Sequence, residues 1–163
     1  MKFILIDKID SIQPGKSIVT YKNLTLAEEY LGDHFPGYPI LPGVLMIEGM
    51  VQSAAWLVRL AQNFANSIVV LKAARNVRYA WSLRPGHAMR YEVELKSIED
   101  SVAKFSAAGF ADDRQAVSAK LELTWQNMSE KGKFGQDIDR RLIEDMKRNF
   151  ELLGGPKALA AAL

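Results

Sequence analysis

Two side chains that can exchange protons, His34 and Glu48, lie close together along the chain. Glu48 falls within a stretch that is otherwise almost entirely apolar. A carboxylate in apolar surroundings is costly unless it is paired. Either Glu48 lies at an interface, where a hydrogen bond or a cation satisfies it, or it is an acid or base whose pKa burial raises. A nearby histidine favours the second interpretation, because proton transfer at carbon uses paired titratable groups.

Two further positions could support this chemistry. Gln52 follows Glu48 by four residues, so a helix would place both on one face. It is either one half of an interior polar pair or the group that holds the Glu48 carboxyl in one rotamer. Gly43 and Val44 stand where this helix would begin, and N–H groups there have no intrahelical acceptor. A glycine at 43 would let a carbonyl oxygen approach and be polarised as in an oxyanion hole; an ordinary helix terminus is the alternative.

A stiff loop and a long helix must position these groups. Residues 32–43 contain three prolines and three glycines, which predicts a segment without regular structure, stiffened because each proline fixes φ. The helix is predicted to run from Pro42 or Gly43 to about Asn63. It is apolar on nearly every side, which indicates a helix enclosed by other structure. Its most apolar part, Val44–Val58, is too short and too polar inside for a membrane span.

Strands are predicted on both sides of the helix from β-branched runs and from alternating polar and apolar residues. They are Phe3–Ile6, Ser17–Leu24, Ile68–Leu71, Val77–Trp81, a strand through Tyr91, Val93 and Leu95, Ala103–Phe110, and Val117–Trp125. One long buried helix followed by an antiparallel meander indicates an α+β fold in which a curved sheet wraps the helix.

The last part of the chain differs in character from the rest. Residues 1–126 are predicted to form the main domain and residues 127–163 a helical extension of the same domain. Within the extension, residues 131–135 are typical of a linker and Asp137–Leu153 has helical spacing. Gly154-Gly155-Pro156 should end that helix, and Ala158–Leu163 should form one more turn.

Composition excludes several classes of function. The 163 residues include no cysteine, which rules out disulfides, thiolate metal sites and cysteine nucleophiles. Two histidines argue against a multi-histidine zinc site within one chain. A net charge of +2 is too small to indicate a nucleic-acid binder, which leaves a local basic patch as the alternative. The absence of cysteine fits a reducing cytoplasm best, and a cytoplasmic location is expected. The N-terminal apolar run ends at Asp7, too soon for a secretory signal.

Residues 34–52 carry a family resemblance. They read His-Phe-Pro-Gly-Tyr-Pro-Ile-Leu-Pro-Gly-Val-Leu-Met-Ile-Glu-Gly-Met-Val-Gln, and this run closely resembles the signature of bacterial β-hydroxyacyl-acyl-carrier-protein dehydratases, hot-dog-fold enzymes of fatty-acid synthesis. Weaker similarity extends upstream through residues 5–9 and 14–19. Downstream it continues through Arg78-Tyr79 and Pro85-Gly86 to about Trp125, so that it covers roughly three quarters of the chain.

The resemblance implies a reaction and a role for three residues. The family removes water from a (3R)-3-hydroxyacyl thioester on acyl carrier protein to give the trans-2-enoyl thioester. His34 matches the family's general base, and Glu48 matches the acid that helps to protonate the departing hydroxyl. Gly43 matches the glycine whose N–H polarises the thioester carbonyl. The family uses no metal or organic cofactor. It forms obligate homodimers in which one site takes its histidine and its acid from different subunits, and assemblies of dimers also occur.

An acyl chain requires an apolar tunnel, and an acidic carrier protein requires a basic surface. Candidate residues around the acyl chain, each of which could instead be ordinary core, are Phe35, Tyr38, Met46, Met50 and Trp56. Candidate docking residues, which could instead be ordinary solvated side chains, are Arg59, Lys72, Arg75, Arg78, Arg84 and Arg90.

The chain departs from the family pattern outside the signature. His87 stands where the family usually has aspartate, and Ala80 and Trp81 replace residues that are often basic. Residues 127–163 extend beyond the common length. These differences leave two alternatives to a dehydratase: a hot-dog thioesterase, and a paralogue that binds acyl carriers without turning them over.

Overall fold

A computed structural model describes residues 4–131 and 135–162. The strands are β1 (Lys8–Gln13), β2 (Ser17–Asn23), β3 (Ile68–Tyr79), β4 (Ala88–Glu99), β5 (Val102–Ala111) and β6 (Arg114–Gln126). The helices are α1 (Tyr30–Asp33), α2 (Gly43–Ala61), α3 (Gly135–Leu152) and α4 (Gly155–Ala160), with a 3₁₀ turn at Met128–Lys131.

The strands form one antiparallel sheet in the order β1-β2-β4-β5-β6-β3. Helix α2 lies across one face of the sheet and contacts five of its strands. The core forms between them, where Met50, Leu57, Tyr91 and Phe105 are each at most 2% exposed. A long helix packed on one antiparallel sheet is the arrangement of the expected α+β, hot-dog fold, and it confirms the predicted fold class.

Helix α2 has the composition of a membrane span but the surroundings of a core helix. It is 19 residues long with a mean hydropathy of 1.3. Within the fold, 56% of the most apolar 18-residue stretch of this helix is buried, because the sheet covers one side of the helix. The predicted helix is confirmed, ending two residues earlier than expected.

The strand predicted over residues 3–6 is wrong. Phe3 lies outside the described residues, and residues 4–6 have no strand structure. The Leu5 N–H donates to the Gln52 side chain (3.1 Å) instead of to a neighbouring strand. Leu5 and Ile6 are nevertheless buried, at 0% and 2% exposure. The apolar run therefore predicts burial correctly but does not predict strand pairing.

The two short strands predicted over residues 68–71 and 77–81 are one strand, β3. Its pairing with β6 shifts register between Leu71 and Ala73 and again between Arg75 and Arg78. Asn76, within the second irregularity, has a left-handed φ of 53°. A bulge adds a residue to one strand and reverses the side-chain alternation. The sequence of β3 therefore does not alternate with a period of two along its whole length, and it was predicted as two strands.

The loop predicted over residues 32–43 is mostly irregular, but it begins inside a helix. Gly32 and Asp33 complete the short helix α1. Leu31 anchors that helix in the core at 4% exposure, and tertiary packing of this residue outweighs the turn-forming tendency of the sequence that follows it.

The C-terminal helices pack on the main sheet and helix. The Phe150 ring of α3 lies 5.5 Å from the Trp56 ring of α2. The Ile9 N–H of β1 donates to the Leu153 carbonyl (2.8 Å). Gly154, with a φ of 80°, ends α3 at the predicted place.

Two details of the extension differ from the prediction. The segment expected to be a linker is partly structured: residue 131 ends the 3₁₀ turn, residue 135 begins α3, and residues 132–134 lie outside the described part. The Asp139 carboxylate accepts the Met128 and Ser129 N–H groups (2.7 and 2.9 Å) and so joins that turn to α3. The last helical turn is α4, which begins earlier than predicted; residue 163 is not described.

Candidate active site

The segment that carries His34 is held at both ends by backbone hydrogen bonds. The His34 N–H donates to the Tyr30 carbonyl of α1 (3.2 Å), and the Leu41 N–H donates to the Leu83 carbonyl (2.9 Å). Phe35 adopts a left-handed φ of 51°, an uncommon conformation for a bulky residue. Its ring centroid lies 4.2 Å from that of the half-buried His34 imidazole. The imidazole is thus presented by a constrained turn.

The start of α2 leaves two N–H groups available. Pro42 caps the helix without a side-chain acceptor, and its carbonyl accepts the Leu45 and Met46 N–H groups (2.9 and 3.1 Å). Among the described residues, nothing accepts a hydrogen bond from the Gly43 or Val44 N–H. These donors lie at the positive end of the α2 dipole, where they can polarise an oxygen.

The Gly43 backbone lies close against Tyr79, a residue for which no role was predicted. A Cβ at this position would lie 2.9 Å from Cε1 of Tyr79, closer than carbon atoms normally approach. Tyr79 ends β3 and is 53% exposed, and partial burial raises the pKa of its hydroxyl. The bulges in β3 decide which way Tyr79 faces, and no local pattern in the sequence reveals them.

The Glu48 carboxyl is held by a chain of two hydrogen bonds. Gln52 Nε2 donates to Glu48 Oε1 (3.0 Å), and the Leu5 N–H donates to Gln52 Oε1 (3.1 Å). The four-residue spacing predicted the first contact, and the structure contains it. Because the Leu5 N–H can only donate, it fixes which way the Gln52 amide is turned.

His34 and Glu48 form neither a hydrogen bond nor an ion pair with one another within this chain, in which both are described. The described part contains a cavity of about 480 Å³ beside α3 and another of about 360 Å³ on β2, β4 and β5. Neither is lined by His34, Gly43 or Glu48. The described residues include no group of three or more His, Asp or Glu side chains suited to hold a metal ion.

The other candidate substrate-contacting residues divide into two groups. Phe35, Tyr38 and Val44 are exposed at the loop and helix start, at 57%, 49% and 69%. Met46 and Met50 lie in the core, at 3% and 0% exposure. The exposed group is accessible from solvent, whereas a substrate-lining role for the two buried methionines stays a prediction.

The candidate docking arginines have different surroundings. Arg84 lies over the Tyr38 ring, 4.6 Å from its centroid, at the edge of the His34 loop. Arg75 and Arg90 pair with Glu122 and Glu92. Arg59 stacks on Trp56, and burial lowers its pKa to about 10. Of these four, Arg84 has the position that best fits contact with a molecule approaching the loop.

Comparison with known proteins places the chain in a family. A FabA-like domain model matches residues 1–120. The 3-hydroxyacyl-[acyl-carrier-protein] dehydratase FabZ of Lactobacillus helveticus is 34% identical over 118 residues, covering 72% of this chain and 80% of that protein. The FabZ of Desulfotalea psychrophila is 37% identical over 121 residues, covering 73% and 81%.

Solved structures agree at the level of the fold. The dehydratase heterocomplex ApeI:P from Xenorhabdus doucetiae superposes with a TM-score of 0.65 at 18% identity, covering 78% of this chain and 86% of that one. A mutant thioesterase from Pseudomonas aeruginosa gives 0.57 at 13% identity, covering 72% and 78%. From the domain match and the sequence identities, the chain belongs to the FabA-like domain family and is a homologue of the FabZ dehydratases.

Proposed function

We propose that this protein dehydrates 3-hydroxyacyl chains bound to acyl carrier protein, giving trans-2-enoyl thioesters in fatty-acid or related acyl-chain synthesis. The names of its relatives support the reaction and the substrate class. The observation that carries the proposal is the start of α2, where available Gly43 and Val44 N–H groups lie one turn before a carboxyl held by Gln52.

In the proposed reaction, the thioester carbonyl accepts hydrogen bonds at the start of α2. The Gly43 N–H, with Val44 beside it, withdraws electron density and makes the C2 proton more acidic. The His34 imidazole takes that proton as general base. The C2–H electron pair forms the C2=C3 double bond while the C3–O bond breaks. Glu48 donates a proton to the departing hydroxyl, and water leaves.

Two features support a homodimer with shared sites. His34 and Glu48 do not contact each other within one chain, yet the reaction needs both beside one substrate. Strand β3 is an edge of the described sheet and exposes Val70 and Leu71, at 41% and 38%. An exposed apolar edge strand is a template for pairing with another chain. We propose that a second copy pairs there and that each site combines His34 of one subunit with Glu48 of the other; dimers can assemble further.

Arg84, beside the loop, is the proposed contact for an acidic carrier protein. The reaction is acid–base chemistry at carbon, which the chain's own side chains can perform without a metal or organic cofactor. A cytoplasmic enzyme that binds neither nucleic acid nor membranes accords with this role. Residues 127–163 are proposed as an extension of the same domain, since Phe150 packs on Trp56 and the Leu153 carbonyl accepts a hydrogen bond from β1.

The test is a dehydration assay on 3-hydroxyacyl carriers of several chain lengths. Enoyl product should form with the wild-type protein and fall by about a thousandfold or more in His34→Ala and Glu48→Gln, since each removes a proton-transfer group. Release of free carrier thiol without enoyl product would indicate the thioesterase alternative. Carrier binding without either product would indicate a non-catalytic paralogue, and undiminished turnover in both variants would remove these residues from the mechanism.

A further inference from the structure

Lys22 is a buried lysine for which the proposed reaction has no use. It lies near the end of β2, and its side chain is 7% exposed. An ammonium group removed from water is strongly destabilising unless it is paired. Its Nζ lies 2.7 Å from Glu28 Oε1 and 3.3 Å from Asp7 Oδ1. We call the cluster of Lys22, Asp7 and Glu28 the Lys22 clamp.

One arm of the clamp holds the chain just before α1. The Glu28 carbonyl accepts the Leu31 N–H (3.1 Å), which starts the turn of α1. The Glu28 carboxylate also lies beside the Tyr30 hydroxyl; burial first, and then this carboxylate, raise the Tyr30 pKa. Tyr30 in turn accepts the His34 N–H through its carbonyl. A continuous set of contacts therefore runs from Lys22 through Glu28 and α1 to His34.

The other arm holds the N-terminal segment. Asp7 Oδ2 accepts the Asn23 N–H (2.7 Å), and the Asp7 N–H donates to the Tyr21 carbonyl (2.7 Å). Two residues earlier, the Leu5 N–H holds Gln52. The clamp and the Glu48–Gln52 pair thus share one short segment, residues 5–7, of which Leu5 is fully buried.

We propose that Lys22 is a positioning residue for His34: its ammonium group holds Glu28, and through it α1, in the place from which the imidazole is presented. This inference rests on the proposed function for its effect on catalysis. Without the cation, the Asp7 and Glu28 carboxylates, which are 33% and 22% exposed, would face each other with no positive charge between them. Their repulsion would displace Glu28 and the segment that follows it.

The test compares Lys22→Met with Lys8→Met. Lys8 is a matched control because it also pairs with an aspartate, Asp10 (2.5 Å), but is 62% exposed. We expect Lys22→Met to lower kcat by about tenfold or more with KM changed less than about threefold, because a small misplacement of a reacting group is costly. Lys22→Arg, which can keep both ion pairs, should restore kcat, and Lys8→Met should match the wild type.

Two further measurements test whether Lys22 positions His34. One does not depend on whether the protein is a dehydratase, and the other distinguishes positioning from a loss of stability. In a His87→Gln background, His34 is the single histidine, and its ring resonances in NMR spectra should shift in Lys22→Met but not in Lys8→Met, whether or not the protein is a dehydratase. The double variant Lys22→Met/Glu28→Gln removes one of the two facing carboxylates and with it their repulsion, so it should regain thermal stability while kcat stays low. It is also the form to measure if Lys22→Met does not fold. Unchanged His34 resonances, or a kcat that recovers together with stability, would overturn the inference.

Discussion

The Glu48 carboxyl shows how contacts between distant residues shape the site. In the proposed reaction Glu48 protonates the leaving hydroxyl, so its carboxyl must point in one direction. Gln52 Nε2 donates a hydrogen bond to that carboxyl at 3.0 Å. The helical spacing of four residues was enough to predict this pair. The bond that fixes Gln52 itself comes from Leu5, 47 residues away. No local sequence pattern predicts the hydrogen bond between Leu5 and Gln52, so only the structure reveals it.

Gln52→Leu should therefore impair catalysis more than stability. The variant keeps the volume of the side chain but releases the Glu48 carboxyl, and we expect kcat to fall about tenfold with a smaller change in KM. Steady-state kinetics with a thermal unfolding curve measure both effects. Gln62→Leu, the same change at the end of the same helix, serves as the control. Equal kinetics for the two variants would show that Gln52 does not orient Glu48.

Gly49 should tolerate no side chain while Tyr91 is present. A Cβ at this position would lie 2.3 Å from both Cζ and Oη of Tyr91, a residue that is 0% exposed. Although alanine favours helices by about 1 kcal/mol over glycine, overpacking of this kind costs about 1–3 kcal/mol or more. Gly49→Ala should thus lower the free energy of unfolding in urea.

A second substitution tests the cause of that loss. Gly49→Ala combined with Tyr91→Leu should be less destabilised than the sum of the two single changes, because leucine removes the clashing ring end. The control is Gly32→Ala in α1, where nothing lies within 4 Å of the added Cβ. Strict additivity of the two changes would argue against the steric explanation.

Helices and strands with regular periodicity could be predicted from the sequence, whereas elements with bulges or with an irregular pattern could not. Strand β6 alternates buried residues with less buried ones over its middle, and α2 is long and apolar, so local periodicity located both. Strand β3 is interrupted by two register shifts. Local periodicity therefore predicts two short strands there, and it does not predict that Tyr79 lies against Gly43. The helix of residues 30–33 owes its place to Leu31 in the core and to the Glu28 contacts, which are tertiary effects.

The junction between the sheet and the C-terminal helices should depend on pH through Asp139. Burial would raise the pKa of this carboxyl, but hydrogen bonds from Ser67, Met128 and Ser129 outweigh that effect and lower it to about 2. A depressed pKa means that the ionised form stabilises the fold. This contribution is complete above about pH 4 and disappears as the pH falls through about 2.

Asp139→Asn should therefore lower the Tm at neutral pH, and its difference from the wild type should shrink between about pH 4 and about pH 2. Thermal unfolding at a series of pH values measures this. Asp137→Asn on the same helix is the control, since that carboxylate is 69% exposed and pairs on the surface with Arg140. If the two variants behave alike at every pH, Asp139 does not anchor the junction.

At the scale of the whole molecule, the edge strand β3 carries the proposed assembly. Val70→Glu would place a charge on this edge, where Val70 is 41% exposed, and burying an unpaired charge in an interface is unfavourable. We expect the dimer to dissociate in sedimentation experiments and dehydration to fall with it. Ile98→Glu, at a position that is 40% exposed on β4, is the matched control and should leave both unchanged. An intact dimer in Val70→Glu would place the interface elsewhere.

The shared site itself can be tested by mixing two inactive variants. Dimers that combine a His34→Ala subunit with a Glu48→Gln subunit contain one site with both wild-type groups, if each site draws on two subunits. After subunit exchange of an equal mixture, half of the dimers are mixed, so activity should rise from background to about a quarter of the wild-type level. A mixture in which mixed dimers form but activity stays at the level of the separate variants would contradict the shared site.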